Sequence, residues 1–308
     1  MAQTLRGQGV AFGWSLLGVF LAIVSSGCTA PQYRCGSEYH TGSDACLCPG
    51  ESQVERGRRA PVIDTVGWVV GIPSKILMLD HRVSNHDVSP ETEAAVEQYL
   101  TANGLDKVKV RINEYDPGGE WRRLVDNKSV GWPIRYTFGT FSCVGYTLLP
   151  GRVFGGDGYN PFTNTISIYS DIPALALYEG GYAKDYAQRE YKGLYALAHG
   201  LPVVGVWHVS QASADAIGYL EANGTTEEIK QGYRTLRPAY AIDASHSLSG
   251  VVGTGIVLPA AAVGHVIGQC EAAAVKAVPC CETQEPQSCQ PACSHTPDAK
   301  PNYLSCER

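Results

Sequence analysis

Charge is scarce in this sequence, and clustered charge scarcer still. Asp, Glu, Lys and Arg make up 18% of the 308 residues, and the net charge of −6 arises without any dense run of lysine and arginine. A nucleic-acid partner requires a basic footprint against its phosphates, so that class of function is set aside. Nor is the chain poor in apolar residues: at 44% it can bury one sizeable core, which excludes disorder throughout. There is no phosphate loop, because Gly151-Arg152-Val153-Phe154-Gly155-Gly156 runs into a turn and does not join a strand to a helix. A zinc knuckle from Cys280, Cys281, Cys289, Cys293 and His295 lacks the paired C-x2-C spacing that such sites use.

What the chain does have begins at its N-terminus. Arg6 supplies a positive charge ahead of a charge-free apolar run from Val10 to Val24, which ends in Ser25-Ser26-Gly27-Cys28. Residues 1–27 read as a signal peptide. Small residues leading into a cysteine resemble a bacterial lipobox, which would make Cys28 a lipid-attachment site, although Ser25 stands where that pattern carries an aliphatic residue. Ordinary cleavage and an uncleaved anchor remain as alternatives, the run being short against the roughly 20 residues of a span. Setting Cys28 aside, the remaining cysteines are even in number and, apart from Cys143, lie in the two tails. That distribution suits disulfides in an oxidising, exported setting.

Residues 28–60 read as a Cys-containing tether, and the folded domain as starting near Pro61. Ser89-Pro90-Glu91-Thr92-Glu93 opens a helix, with Ser89 as cap and Pro90 in the first turn, and Asn103-Gly104 stops it. From Lys107 to Asn113, Val108, Val110 and Ile112 alternate with Lys107, Lys109 and Arg111, the period of a half-buried strand. Tyr136–Leu149 and Thr163–Tyr169 are further strand candidates, with Cys143 as a core or paired residue of the first. Pro173–Tyr191 is helical in pattern, Leu194–Leu220 is helical with a break near Gly200-Leu201-Pro202, and Thr226–Leu236 is a third helix. Residues 244–270 contain no Asp, Glu, Lys or Arg and are rich in glycine. They are long enough to cross a bilayer and equally suit a buried glycine-rich hairpin. Residues 271–308 form a Cys-rich tail.

The segment richest in chemistry runs from Tyr159 through Asp171 to Asp185 and reads as strand, turn and helix, with Tyr178-Glu179-Gly180-Gly181-Tyr182 on the helix. This order resembles the zincin metallopeptidases of HExxH type. There, histidines at i and i+4 share a helix face and bind zinc, the glutamate between them is the general base, and an edge strand aligns the peptide. Glu179 takes the place of the catalytic acid, while Tyr178 and Tyr182 replace both histidines. Gln211-Ala212-Ser213-Ala214-Asp215 resembles the later E-x-x-A-D pattern of the gluzincin branch, with Gln211 in the ligand place and Asp215 retained.

The resemblance spans residues 61–240 and implies an α+β, minimal zincin-like domain with a small mixed sheet, an edge strand and packed helices, flanked by Cys-rich tails. Phenols and a neutral amide are poor zinc ligands, so the resemblance implies no metal and no other cofactor, with Glu179 vestigial. The expected function is a catalytically inactive, peptidase-like lipoprotein of the cell envelope that binds a protein or peptide. It would be held to the membrane by its lipid, with residues 244–270 as a second candidate contact. Two alternatives remain open: an active metal-dependent peptidase with a site rearranged around His199 and His208, and a structural envelope protein that associates through the Gly-rich segment. The same residues also fit plain helix patterning, with Tyr178 and Tyr182 buried and Gly180-Gly181 allowing a close contact.

Overall fold

The computed structural model describes Tyr33, residues 39–48 and residues 50–276. The segment read as a signal peptide, Cys28 and the cysteines from Cys280 onward lie outside the described residues. In chain order the elements are β1 (Val54–Arg56), α1 (Pro61–Val70), α2 (Ile72–Met78), α3 (Pro90–Ala102), β2 (Lys109–Ile112) and α4 (Pro117–Asp126). A short turn and a π-helical turn (Arg135–Gly139) then lead into α5 (Thr140–Leu148), followed by α6 (Gly151–Phe154), β3 (Gly158–Asn160) and β4 (Thr165–Ile168). The C-terminal half is helical: α7 (Pro173–Ala187), α8 (Lys192–Ala198), α9 (Pro202–Asn223), α10 (Thr226–Val252) and α11 (Val257–Ala274). The α+β class and the small mixed sheet are as the sequence implies.

The sheet order is β1-β2-β4-β3, with β1, β2 and β4 parallel and β3 antiparallel on the edge. β1 comes from the stretch read as tether, so the sheet begins before Pro61. The strand directly before the site helix is interior, and the edge belongs to β3. Val110, Ile112, Ile166 and Ile168 point into the core with Val96, Leu100 and Leu177. The opposite face is not solvated as the alternation predicts. Lys109 and Arg111 are fully buried, Lys109 against Glu51 (3.1 Å) and Glu55 (2.9 Å), Arg111 against Glu114 (2.8 Å) and Glu120 (3.0 Å). Under α4, Arg123 donates to the carbonyl oxygens of Thr163, Lys107 and Asn164. Buried cations are tolerable only when so paired.

Helix starts follow their caps. Ser89 Oγ accepts from the Thr92 N–H (3.3 Å), Asp116 caps α4 through the Gly119 N–H (2.9 Å), and Thr225 and Glu228 form a reciprocal capping box on α10. Two readings are corrected. Tyr136–Leu149 is helical: its alternating aromatic residues, Phe138 and Phe141 among them, lie exposed on a helix face and do not pack into a sheet. Cys143 is accordingly a buried helical residue, and no disulfide joins cysteines among the described residues. The third helix does not end at Leu236 but continues through Pro238 to Val252. Residues 244–270 are helical and form the bend and one arm of a helical hairpin. They finish α10 and supply most of α11, which is long and apolar enough to cross a membrane but packs back along α10. Gly264 and Gly268 make that packing possible, because a Cβ on either would come within 2.6 Å of the α10 backbone at Pro238 or Tyr233. Arg237 and Glu271 pair across the same contact.

Candidate functional site

α7 is the buried centre of the molecule, packed between α3, α9 and α10. Its two glycines set the distances. A Cβ on Gly180 would meet the Tyr99 ring at 2.6 Å, and one on Gly181 would meet the Ala212 carbonyl oxygen at 2.8 Å. Glycine lets α3 and α9 close on both sides of the helix, and Glu179 and Tyr182 of the motif border a cleft of about 440 Å3. β3 contributes Gly158 and Tyr159 to the lining, the α8 side Ala196 and His199, and α9 His208; Asp243 and His246 come from α10, with Glu179 and Tyr182 from α7.

Tyr178 and Tyr182 converge, as their i,i+4 spacing requires. The Tyr182 hydroxyl donates to the Tyr178 hydroxyl (2.7 Å), and the Tyr178 hydroxyl donates to Asp243 Oδ2 (3.0 Å), which also lies 3.4 Å from the Tyr182 hydroxyl. Burial, reinforced by the nearby Asp243 charge, keeps both phenols protonated far above the ordinary tyrosine range. The third member of the cluster therefore comes from α10. Gln211 is half-buried on α9 and does not line the cleft. Asp215 faces the other side of the helix pair, where it accepts from the Tyr99 hydroxyl and from Lys184 Nζ (2.5 Å). Its partner Lys184 is buried, so Asp215 answers a structural cation.

Glu179 is only 6% exposed, and its Oε2 has no hydrogen-bond partner although it borders the cleft. The Tyr159 N–H bonds the carboxyl from the β3 side. Burial first, then the neighbouring acids Asp157 and Asp243, push the Glu179 carboxyl well above the usual carboxylate range. Asp157 and Asp243 are themselves raised by burial. Asp157 Oδ1 accepts the N–H groups of Tyr169 (2.6 Å) and Ser170 (3.0 Å), which fixes the turn entering β3 against the end of β4. A neutral Glu179 carries a proton, and a proton on a buried carboxyl is a hydrogen-bond donor.

Beside this acid cluster lies a histidine pair. His208 Nδ1 is 2.5 Å from Asp185 Oδ2, which also accepts from the Tyr195 hydroxyl (2.6 Å), and Arg189 pairs with the other oxygen. Burial pushes the Asp185 carboxyl up, but the bonds and charges of His208, Tyr195 and Arg189 outweigh it and hold the group below its ordinary pKa. The His199 ring stacks edge-on against His208 at 4.3 Å between centroids. Burial and the neighbouring His208 lower the His199 pKa to about 4, so it is neutral at neutral pH.

The fit to a metal follows from these donors. Two protonated phenols and one carboxyl are a poor zinc set. Among the described residues no group of three or more His, Cys, Asp or Glu side chains is placed to hold a metal ion, and that includes any combination of His199 and His208 with Glu179 or Asp185. No mechanistic step is therefore routed through a metal. Asp157 and Asp243 were not singled out in the sequence, and Asp185 was weighed only as a metal partner of His199 and His208. Asp243 had one signal, as the last charged residue before the charge-free stretch, whereas Asp157 in its glycine-rich turn looks like ordinary turn chemistry. A scan against protein-family models, a search of curated proteins and a search of solved structures each return no match.

Proposed function

We propose that this protein binds an extended polypeptide segment in the cleft between β3 and α8, without metal-dependent hydrolysis, as an exported protein held at a membrane by its N-terminal segment. The observation that carries the reading is Glu179: a buried carboxyl, held neutral by its surroundings, with one oxygen unpartnered on the cleft. An unmet donor of this kind costs about 1–3 kcal/mol in the free protein, which a ligand carbonyl would recover. The Tyr178, Tyr182 and Asp243 bonds close on one another and form a fixed wall to the site.

The reading is tested by selecting binders from a displayed random-peptide library on the purified full chain with a chelator present. Enriched peptides should bind the wild type and Glu179→Gln, whose amide still donates, and lose at least about tenfold in affinity on Glu179→Ala, equivalent to ~1.4 kcal/mol. Absence of enrichment, binding that needs added zinc, or peptide cleavage abolished by Glu179→Gln would each overturn it.

A further inference from the structure

Exposed large apolar side chains are not scattered over this molecule. Among the described residues all but Tyr115 and Val125 fall in four stretches, residues 61–79, 132–154, 191–207 and 251–266. The most exposed member of each is far out in solvent: Val62 at 79%, Phe141 at 77%, Val203 at 81% and Val251 at 70%. Soluble surfaces seldom gather so much apolar area.

The stretches are joined in space. Arg152 of α6 pairs with Asp64 of α1 (2.6 Å), and His265 of α11 bonds the Leu77 carbonyl oxygen of α2 (2.9 Å). A Cβ on Gly193 of α8 would touch Val130 and Ile134 beside the π-helical turn. Charge has been withdrawn from this surface. The stretches contain only five Asp, Glu, Lys or Arg residues, namely Asp64, Lys75, Arg135, Arg152 and Lys192. All five are spent inward. Besides the Asp64–Arg152 pair, Lys75 donates to the carbonyl oxygens of Trp68 and Ser84, Arg135 to those of Val125 and Asn127, and Lys192 holds Asp44 at 2.5 Å.

We infer that this apolar surface rests in the interfacial region of a lipid bilayer, so that the folded domain itself, and not only its N-terminal segment, is a membrane-contacting body. Lipid is favoured over a protein partner by the charge pattern: a protein interface carries a polar, hydrogen-bonding rim, whereas here every charge turns away from the surface. The exposed aromatic residues Trp68, Trp132 and Trp207 suit the headgroup level, where an indole ring is apolar along its body and donates at its edge. Two parts of the surface, Thr254–Ala274 and the bent pair α1–α2, also have the length and composition of membrane segments. The inference does not depend on what the cleft binds.

The test uses the full chain, reconstituted on phosphatidylcholine vesicles brominated along the acyl chains, in variants that keep one tryptophan and replace the others with phenylalanine. Fluorescence from Trp68, Trp132 or Trp207 should lose most of its intensity to bromine, while a tryptophan placed on the charged side by Glu97→Trp keeps its own. Equal, weak quenching at all four positions, as expected of a domain tethered in water, would overturn the inference. Should the replacements impair folding, hydrogen exchange of the unaltered protein gives the same answer: vesicles should slow exchange in residues 61–79 and 132–154. Slowing that instead follows protein concentration without lipid would mean a second copy covers the surface, and would also overturn it.

Discussion

At the scale of single residues, Tyr178 and Tyr182 form a closed, buried phenol pair. The Tyr182 hydroxyl donates to that of Tyr178, which in turn donates to Asp243. Glu179 is the opposite case, a polar atom left unmet. Its folded-state pKa lies above the ordinary glutamate value of about 4.5, so the folded state holds a proton that the unfolded chain releases as pH rises past that value. Stability should therefore fall with rising pH from about 4.5 upward. Glu179→Gln should raise the melting temperature at neutral pH, with the gain vanishing toward pH 4, as thermal unfolding followed across pH would show. Asp215 makes a contrasting prediction. Asp215→Ala removes the carboxylate paired with the buried Lys184, at a cost of about 3 kcal/mol in denaturant unfolding, while peptide binding by the folded fraction should be unchanged.

At the scale of elements, the two glycines of α7 decide whether α3 and α9 can close around it. Ala212 presents backbone to Gly181, and backbone cannot rotate out of the way, so Gly181→Ala should cost about 1–3 kcal/mol by chemical denaturation. Much at this scale was legible in the sequence. Ser89 and Pro90 mark the start of α3, Pro202 restarts the helix after its break, and the class of the domain follows from alternating strands and helices. What misled was periodicity without knowledge of the environment. Val108 to Ile112 alternates as a half-wet strand does, yet Arg111 is buried among acids that the fold gathers around it, Glu114 and Glu120 from the following turn and helix and Glu55 from β1. The alternation of Tyr136 and Phe138 belongs to a helix whose apolar side faces outward. Asp243 lies 61 residues after Tyr182 in the chain, and no local pattern can announce that a carboxyl from α10 will meet two phenols of α7.

At the scale of the whole molecule, the cleft and the apolar surface share α8, which lines the cleft with Ala196 and exposes Leu194. The pH response is also a property of the whole. His199, lowered to about 4, is neutral in the fold while an ordinary histidine of the unfolded chain takes up a proton below about 6.5. The unfolded state binds more protons in that window, so this group makes stability rise with pH between about 4 and 6.5, opposite in sign to Glu179. His199→Phe should flatten the acid limb and leave the alkaline limb, which melting curves over the same range would separate. The central claim is that Glu179 is a neutral, donating acid in a cleft beside the closed cluster of Tyr178, Tyr182 and Asp243. Infrared difference spectroscopy between wild type and Glu179→Gln at neutral pH measures this most directly. The account predicts loss of a protonated-carboxyl C=O band in the variant. Loss of ionised-carboxylate bands in its place would contradict it.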